Sequence, residues 1–332
     1  MRDRVLVTGA AGFIGSHAVE ALLARGCDVL GLDNFDPFYD EAIKLANLAV
    51  ALGSPGFRLA RVDIRDARAL GAALDSFRPD VVLHLAARAG VRPSILDPAL
   101  YAEVNVLGTA NLLEAARRAG VQRLVMASSS SVYGNADRVP FREDDPAVRP
   151  QSPYAATKRA CELLCETHVS LYPSSRIISL RLFTVYGPRQ RPDLAIHKFT
   201  RLISEGRPIP FFGDGTYSRD FTYVTDTLQG ILGAIDRTSA SAPGHEIYNL
   251  GEAATTTLNE LVELIERALG RRAERERFPA QPGDVVRTFA DISKARAALG
   301  YAPSVPIADG IPLFVEWYRG RRAGAATVPD RA

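Results

Sequence analysis

The stretch from Arg4 to Asp33 constrains the fold more than any other part of the sequence. It begins with a short apolar run rich in β-branched residues, from Arg4 to Thr8, which is typical of a strand buried on both faces. A glycine-rich turn follows, then an apolar pattern with helical spacing up to Gly26, and then a second apolar run that ends on Asp33. This order predicts a strand, a helix and a second, parallel strand that form one βαβ unit.

The glycine spacing in this unit predicts a dinucleotide site. Gly9 permits a tight turn, Gly12 lets backbone N–H groups approach a pyrophosphate, and Gly15 lets the helix pack closely on the strand. The N-terminus of the helix then offers unpaired donors to the phosphates. Asp33 is placed to bind the adenosine ribose hydroxyls, and its charge would repel a 2′-phosphate, so NAD is favoured over NADP. The alternative is a βαβ unit that holds no ligand.

Strand and helix patterns continue to alternate through the first half of the chain, which predicts an α/β fold with a Rossmann-type doubly wound parallel sheet. The alternation weakens after Pro188, where we expect a smaller mixed α/β C-terminal lobe that binds the substrate. A chain of 332 residues is long enough for two lobes, or for one large domain with an appendage. We expect the NAD-binding domain to comprise residues 1–186 plus about 220–250, and the substrate lobe about 187–219 and 251–325.

Residues at the ends of the predicted strands are candidates for cofactor contact. Small residues after a buried strand, Ala86 and Ala87, would let a cofactor cross the sheet edge, and Asp63 with Ile64 could reach an adenine. The predicted cofactor-binding residues are Gly9, Gly12, Phe13, Ile14, Gly15, Asp33, Asn34, Asp63, Ile64, Leu85, Ala86, Ala87, Tyr154 and Lys158.

A serine cluster and a tyrosine–lysine pair form the predicted catalytic group. Serines 128–131 follow the fifth predicted strand, and Tyr154 and Lys158 lie one turn apart on a predicted helix. A tyrosine hydroxyl ordinarily ionises near pH ~10, but a neighbouring ammonium and a positive nicotinamide ring favour the phenolate, which can then act as a base. A serine at the strand end could share the proton of a reacting hydroxyl. The alternative is that the tyrosine and the lysine are two ordinary surface residues.

Three residues outside this group are candidates for substrate contact, each with a structural alternative. Arg92 lies in a loop at the ligand edge of the sheet, where it could bind substrate or be a solvated charge. Arg219 could bind a phosphate group through two hydrogen bonds or form an ion pair with Asp220 or Asp226. Phe211 could stack on a base or pack in the core.

Composition narrows the classes of partner. With 40 basic and 38 acidic residues, the net charge is +2, which favours neither nucleic acid nor an anionic membrane as a partner. No apolar run reaches the ~20 residues needed to span a bilayer. Three cysteines without a paired framework indicate a reducing, cytoplasmic setting, and we predict no metal site.

These motifs together resemble the nucleotide-sugar epimerases of the extended short-chain dehydrogenase/reductase family. The glycine turn, His84 to Ala87, Ser128 to Gly134, and Tyr154 with Lys158 are similar to motifs of the wider family. Within it, Gly90 to Arg92, Leu180 to Asp193 and Gln281 to Val285 are most similar to UDP-glucuronate 4-epimerases. The resemblance implies NAD-dependent inversion at C4 of a UDP-sugar through a transient 4-keto intermediate. The open alternatives are UDP-glucose or UDP-N-acetylglucosamine as substrate, or a non-catalytic NAD(H)-binding sensor or scaffold.

The resemblance also implies roles for particular residues. Ser129 would be the hydroxyl partner of Tyr154, and Thr184 with Arg191 would lie near the sugar carboxylate. It further implies a homodimer through a four-helix bundle formed by helices over about 104–118 and 155–172. The predicted substrate-binding residues are Arg92, Ser129, Ser130, Ser131, Tyr154, Thr184, Arg191, Phe211, Arg219 and Asp284.

Overall fold

The predicted parallel sheet forms the centre of the molecule. The computed structural model describes residues 3–136, 138–147, 149–279 and 285–326. The strands, in chain order, are β1 (Arg4–Thr8), β2 (Asp28–Asp33), β3 (Phe57–Arg61), β4 (Val81–His84), β5 (Arg123–Ser129), β6 (Arg176–Leu182), β7 (Thr184–Tyr186), β8 (Ile209–Phe212), β9 (Ser218–Arg219), β10 (Phe221–Tyr223), β11 (Gly244–Leu250), β12 (Thr256–Thr257) and β13 (Arg275–Phe278).

Helices connect these strands and cover both faces of the sheet. In chain order they are α1 (Phe13–Ala24), α2 (Glu41–Asn47), α3 (Ala49–Leu52), α4 (Ala67–Phe77), α5 (Val91–Leu96), α6 (Pro98–Tyr101), α7 (Gly108–Arg118), α8 (Pro153–Leu171), α9 (Ala195–Glu205), α10 (Val224–Ala240), α11 (Leu258–Leu269), α12 (Ser293–Leu299) and α13 (Ile307–Ala326). A π-helical turn, Ala102–Leu107, leads into α7, and a 3₁₀ turn, Ser130–Tyr133, follows β5.

The main sheet has seven parallel strands in the order β11-β6-β5-β4-β1-β2-β3. The Rossmann-type prediction is therefore confirmed. Helices α1 and α10 cover one face, and α4, α7 and α8 cover the other, so that each face has its own apolar core. The strand order reverses at β1, because β2 continues the sheet on one side and β4 on the other. Such a reversal opens a crevice at the carboxyl ends of the strands.

The chain after β6, apart from α10 and β11, forms the smaller mixed α/β region. Three short strand pairs (β7 with β10, β8 with β13, and β9 with β12) lie outside the main sheet. Helices α9, α11 and α13 pack together beside them. The short pairs bring residues 184–186 and 218–223 next to the carboxyl end of the main sheet, which places part of this region against the crevice.

Two elements differ from what the sequence pattern predicts. The pattern predicts that the fifth strand ends near Ala127, but β5 continues to Ser129 because Ser128 and Ser129 pair with Arg181 and Leu182 of β6. The pattern predicts one helix over 41–52, which breaks at Leu48 into α2 and α3. Within the described residues, no helix is both long and apolar enough to cross a bilayer.

Candidate active site

The crevice at the carboxyl edge of the sheet contains a cavity of about 500 Å³. Its walls come from both predicted groups of residues, those for a cofactor and those for a substrate. The predicted residues that line it are Gly9, Gly12, Phe13, Ile14, Gly15, Asp33, Asn34, Asp63, Ile64, Leu85, Ala86, Ala87, Ser129, Ser130, Ser131, Tyr154, Lys158, Thr184, Arg191 and Arg219.

The glycine turn between β1 and α1 has no room for side chains at Gly9 or Gly15, so its backbone can lie close to a ligand. Gly9 has φ +70°, and a Cβ there would lie 2.8 Å from the backbone nitrogen of Ala86. A Cβ on Gly15 would lie 2.0 Å from the carbonyl oxygen of Gly9. Gly12 precedes the helix in an extended conformation, which leaves the first N–H groups of α1 at the cavity wall. The turn therefore fits a pyrophosphate bound at a helix N-terminus.

Asp33 lies at the end of β2, buried beside this turn. One carboxylate oxygen accepts the N–H of Ala11 at 3.0 Å, and the other accepts the N–H of Phe35 at 2.8 Å. Burial raises the pKa of Asp33, although these hydrogen bonds and the charge of Lys44 oppose the rise. Each oxygen keeps lone-pair capacity toward the cavity, so the side chain can accept from a ribose hydroxyl.

Asp63 lies next to Asn34 at the same end of the cavity. The Asn34 amide donates to Asp63 at 3.0 Å, and Arg65 forms an ion pair with the same carboxylate at 2.8 Å. The hydrogen bonds from Arg65 lower the pKa of Asp63 to about 2. The Asp63 carboxylate is therefore ionised and held in place, with its acceptor positions taken by Arg65 and the Asn34 amide.

Tyr154, Lys158 and Ser129 all line the cavity. Ser152 caps α8 by accepting the N–H of Ala155 at 3.2 Å, so Tyr154 lies in the first helical turn and Lys158 one turn later. The buried Lys158 ammonium donates to the carbonyl of Ala127 at 2.7 Å. It keeps two further donors for other groups.

The hydroxyl of Ser129 is oriented by its neighbour Ser131. It accepts the backbone N–H of Ser131 at 3.2 Å and the Ser131 hydroxyl at 2.8 Å. Because both of its acceptor sites are then used, its own proton is available to donate to a ligand in the cavity.

Thr184 and Arg191 line the cavity on the side of the smaller lobe. The Arg191 guanidinium contacts both oxygens of Asp193, at 3.0 and 2.7 Å, and donates to the carbonyl of Ala89 at 3.3 Å. It also lies 5.0 Å from the centre of the Phe38 ring. Arg191 is therefore held in one orientation at the cavity wall, with part of its charge already compensated.

The structure does not bring all predicted substrate residues to the cavity. Phe211 is fully buried, because the alternation of β8 turns it into the core, where the guanidinium groups of Arg275 and Arg277 cover its ring. Arg92 lies outside the cavity wall, with its guanidinium 4.3 Å from the ring centre of Phe212. Asp284 lies outside the described residues.

Arg219 lines the cavity as expected, and it donates to the carbonyl of Ser218 at 2.9 Å. The neighbouring Asp220 is fully buried, and its carboxylate accepts the backbone N–H groups of Glu252, Ala253 and Ala290. Asp220 thus joins three segments of the smaller lobe beside the cavity.

The loop that follows β2 forms a wall that sequence reasoning did not assign. Asp36 forms an ion pair with Arg88, whose guanidinium lies 4.8 Å from the Phe38 ring centre. Lys44 is buried, and it donates to the carbonyl of Asp36 at 2.6 Å. Two features of the sequence could have indicated this wall. Residues 34–40 are rich in aromatic and acidic side chains, and lysine, which includes Lys44, occurs at only four positions.

Two features of this parallel sheet define the class of protein. A glycine turn follows the first strand, and a tyrosine–lysine pair lies on the helix that packs beside the fifth strand. Together they are typical of a short-chain dehydrogenase/reductase. The chain belongs to the NAD dependent epimerase/dehydratase family, whose family model matches residues 5–251.

Relatives of known name cover nearly the whole chain. A UDP-glucuronate 4-epimerase of Thermodesulfobacterium geofontis is 42% identical over 94% of this chain and 95% of its own length. The UDP-glucuronic acid 4-epimerase of Bacillus cereus, solved with UDP-glucuronic acid and NAD, has a TM-score of 0.90 and 36% identity over 96% of this chain and 99% of its own. The UDP-glucose 4-epimerase of Thermus thermophilus, solved with NAD, has a TM-score of 0.85 and 38% identity over the same shares, 96% and 99%.

Proposed function

We propose that this protein is an NAD-dependent epimerase that inverts C4 of a UDP-sugar and converts UDP-glucuronate to UDP-galacturonate. One observation carries the proposal: a single cavity joins the glycine turn, the group of Ser129, Tyr154 and Lys158, and the Thr184 and Arg191 wall. The relatives named above support the substrate, since two of them are UDP-glucuronate 4-epimerases.

The cofactor site fits NAD. The turn at Gly9 and Gly15 excludes side chains, the N-terminus of α1 faces the cavity, and Asp33 offers acceptors where a 2′-phosphate would be repelled. When bound, NAD supplies a hydride acceptor that returns the hydride, so it is not consumed. Lys158 would bind the nicotinamide ribose with the donors that Ala127 does not use.

Three side chains carry the proton chemistry. Tyr154 takes the proton of the sugar 4-hydroxyl as its phenolate and returns it after the sugar has turned over. The Lys158 ammonium stabilises the phenolate, since both side chains project from one face of α8. Ser129 donates a hydrogen bond to the sugar oxygen that becomes the carbonyl, and this bond holds the oxygen near Tyr154.

The other cavity residues fit a carboxylated sugar. The 4-keto form of a uronic acid is a β-keto acid, which loses carbon dioxide readily unless its carboxylate is held away from the geometry of bond cleavage. Ser130 and Thr184 offer neutral hydroxyl donors for this, and Arg191 adds a positive charge partly compensated by Asp193. Ser131 also lines the cavity, but its hydroxyl proton is donated to Ser129. Ser130 and Ser131 cannot act as the carboxylate bases that related dehydratases need for elimination.

Product analysis with the purified protein tests this function. We expect conversion of UDP-glucuronate to UDP-galacturonate without loss of carbon dioxide and without added reductant. UDP-glucose and UDP-N-acetylglucosamine are the comparison substrates, and the Thermus thermophilus structure makes UDP-glucose the second candidate. Faster turnover of either neutral sugar would overturn the assignment of a uronic acid.

Variants at the sugar wall should change selectivity. Thr184→Val and Arg191→Met each remove a donor expected to meet the carboxylate, so kcat/KM for UDP-glucuronate should fall at least ~10-fold. The loss on UDP-glucose should be smaller, because that sugar has no carboxylate. The measurement is kcat/KM on both sugars; equal losses would contradict the role of these residues.

We further propose a cytoplasmic homodimer in which the Rossmann domain holds NAD and the smaller lobe holds the UDP-sugar, with the domain limits predicted above. Leu107 of the π-helical turn and Leu163 of α8 are 49% and 51% exposed, and these two elements pack against each other. Ile95 and Leu96 of α5, which also contacts α8, are exposed as well. Such a group of exposed apolar side chains supports a helical interface.

The described cysteines are unpaired thiols, which supports a reducing compartment.

A further inference from the structure

A buried ion pair lies directly behind the catalytic group, outside the cavity wall. Glu162 of α8 is fully buried, and Arg181 of β6 is 2% exposed. The Arg181 guanidinium donates to both carboxylate oxygens of Glu162, at 2.9 and 2.9 Å. The pair has two-point geometry, which gives it orientation as well as energy.

Glu162 also binds the strand that carries the serine cluster. The hydroxyl of Ser128 donates to its carboxylate at 2.6 Å. One turn earlier on α8, the Lys158 ammonium donates to the carbonyl of Ala127 at 2.7 Å. Two consecutive residues of β5, immediately before Ser129, are therefore attached to the helix that carries Tyr154 and Lys158.

Arg181 is held from its other side as well. Its guanidinium lies 4.7 Å from the ring centre of Tyr133, whose hydroxyl donates to Asn249 of β11 at 2.7 Å. In the sheet, Arg181 is also the register partner of Ser128. The ion pair thus has one fixed position relative to β5, β6 and β11.

Glu162 remains charged in this environment. Burial is the largest effect and acts to raise the pKa of its carboxyl, but the hydrogen bonds and charge of Arg181, together with hydrogen bonds from Ser128 and from Arg159 at 2.9 Å, lower the pKa overall. A buried ion pair seldom stabilises a fold more than apolar residues of equal volume would. Its position, one turn beyond Lys158 and one contact away from Ser129, indicates a role in geometry.

We propose that Ser128, Glu162 and Arg181 form a positioning network that sets the distance between Ser129 and the Tyr154–Lys158 pair. The inference rests on the proposed function, since it assigns the network to the proton transfer at C4. None of the three residues exchanges a proton with the sugar. Their loss should lower kcat and leave the KM for the sugar nearly unchanged, because misplacement of a reacting group affects the chemical step most.

A matched pair of serine variants tests the proposal. Ser128→Ala removes the hydrogen bond to Glu162 without leaving a buried charge unpaired. Ser179→Ala is the control, because Ser179 is an equally buried serine of β6 whose hydroxyl partner, His245 at 2.8 Å, lies away from the cavity. We expect both variants to lose similar thermal stability and to keep NAD. Only Ser128→Ala should lower kcat, by about 10-fold or more.

A double-mutant cycle separates the network from direct contact between Ser128 and substrate. Glu162→Gln should lower kcat further, by about 100-fold, and Ser128→Ala should add little in its presence, because both changes break the same link. Additive losses, an increase in KM at constant kcat, or equal kcat in the two serine variants would overturn the proposal. If Glu162→Gln does not fold, the serine pair alone decides.

The measurements use whichever UDP-hexose the wild-type protein turns over. Turnover of a neutral sugar alone would overturn the proposed substrate, while the ratio between the two serine variants would still test the network. A wild-type protein that turns over no UDP-hexose would overturn both.

Discussion

At the scale of single residues, the candidate site depends on hydroxyl groups whose protons are already directed. Ser129 accepts two hydrogen bonds from Ser131, and its own hydroxyl proton stays available. The Lys158 ammonium donates one hydrogen bond to the carbonyl of Ala127, and its other N–H groups stay available. Tyr154 lines the same cavity. For the proposed proton transfer, donors that are already oriented lower the reorganisation that the reaction needs.

Tyr154→Phe separates the enzyme from a non-catalytic NAD(H)-binding protein. The variant removes the base and keeps the ring, so turnover should fall about 10³-fold or more while bound NAD is retained. Product analysis and the NAD content of the purified variant are the measurements. Unchanged turnover would exclude the mechanism, and absence of turnover in the wild type would favour a sensor or scaffold.

Glu252 should make stability depend on pH. One of its carboxylate oxygens is buried with no hydrogen-bond partner in the described chain, and burial together with the charges of Asp226 and Asp220 raises its pKa to about 7 from 4.5. The folded state therefore holds the proton of the Glu252 carboxyl more tightly than the unfolded state does. The stability that this proton contributes is fully present below pH 4.5 and is lost as the pH rises through about 7.

Glu252→Gln should therefore raise the free energy of unfolding near pH ~8 by about 1–2 kcal/mol, a value reduced from the full shift because the side chain is partly exposed. The difference from wild type should become small at pH 4.5, where the wild-type carboxyl is protonated when folded. Thermal unfolding at the two pH values is the measurement. A difference that is the same at both would contradict the pKa assignment.

At the scale of elements, the turn between β1 and α1 determines whether a dinucleotide can bind. Gly15→Ala places a Cβ against the backbone of Gly9, which cannot move without opening the turn. The variant should lose bound NAD, with affinity reduced at least ~10-fold. Gly71→Ala in α4 is the control, since a Cβ there meets no atom within 4 Å. The measurement is the NAD affinity of each variant by calorimetric titration. Equal affinities would contradict the proposed NAD site.

At the scale of the whole molecule, the exposed leucines test the proposed dimer. Leu163→Glu puts a charge in the expected interface and should weaken association about 100-fold or more, which sedimentation equilibrium would measure. Leu313→Glu on α13 is the matched control, because Leu313 is similarly exposed, at 45%, and lies outside that helix group. A monomeric wild type, or equal association of both variants, would contradict the interface.

Much of the fold and of the candidate site could be predicted from sequence because their signals are local. Arg4 to Asp33 encodes a strand, turn, helix and strand in neighbouring residues, and the four-residue spacing of Tyr154 and Lys158 places both on one helix face. Phe211 shows the limit of this reasoning. An aromatic residue in a short strand can face either way, and only the packing of β8 and β13 turned it into the core.

The sequence by itself therefore determined the glycine turn, the alternation of strands and helices, and the four-residue spacing of Tyr154 and Lys158 on one helix, since each depends on residues close together in the chain. Only the tertiary structure decided the partners of Arg88 and Arg181. Asp36 lies 52 positions from Arg88, and Glu162 lies 19 from Arg181 on another element. The physical reason is that a buried charge is stable only beside its partner, and which residues become partners depends on strand register and helix packing, which local periodicity does not encode.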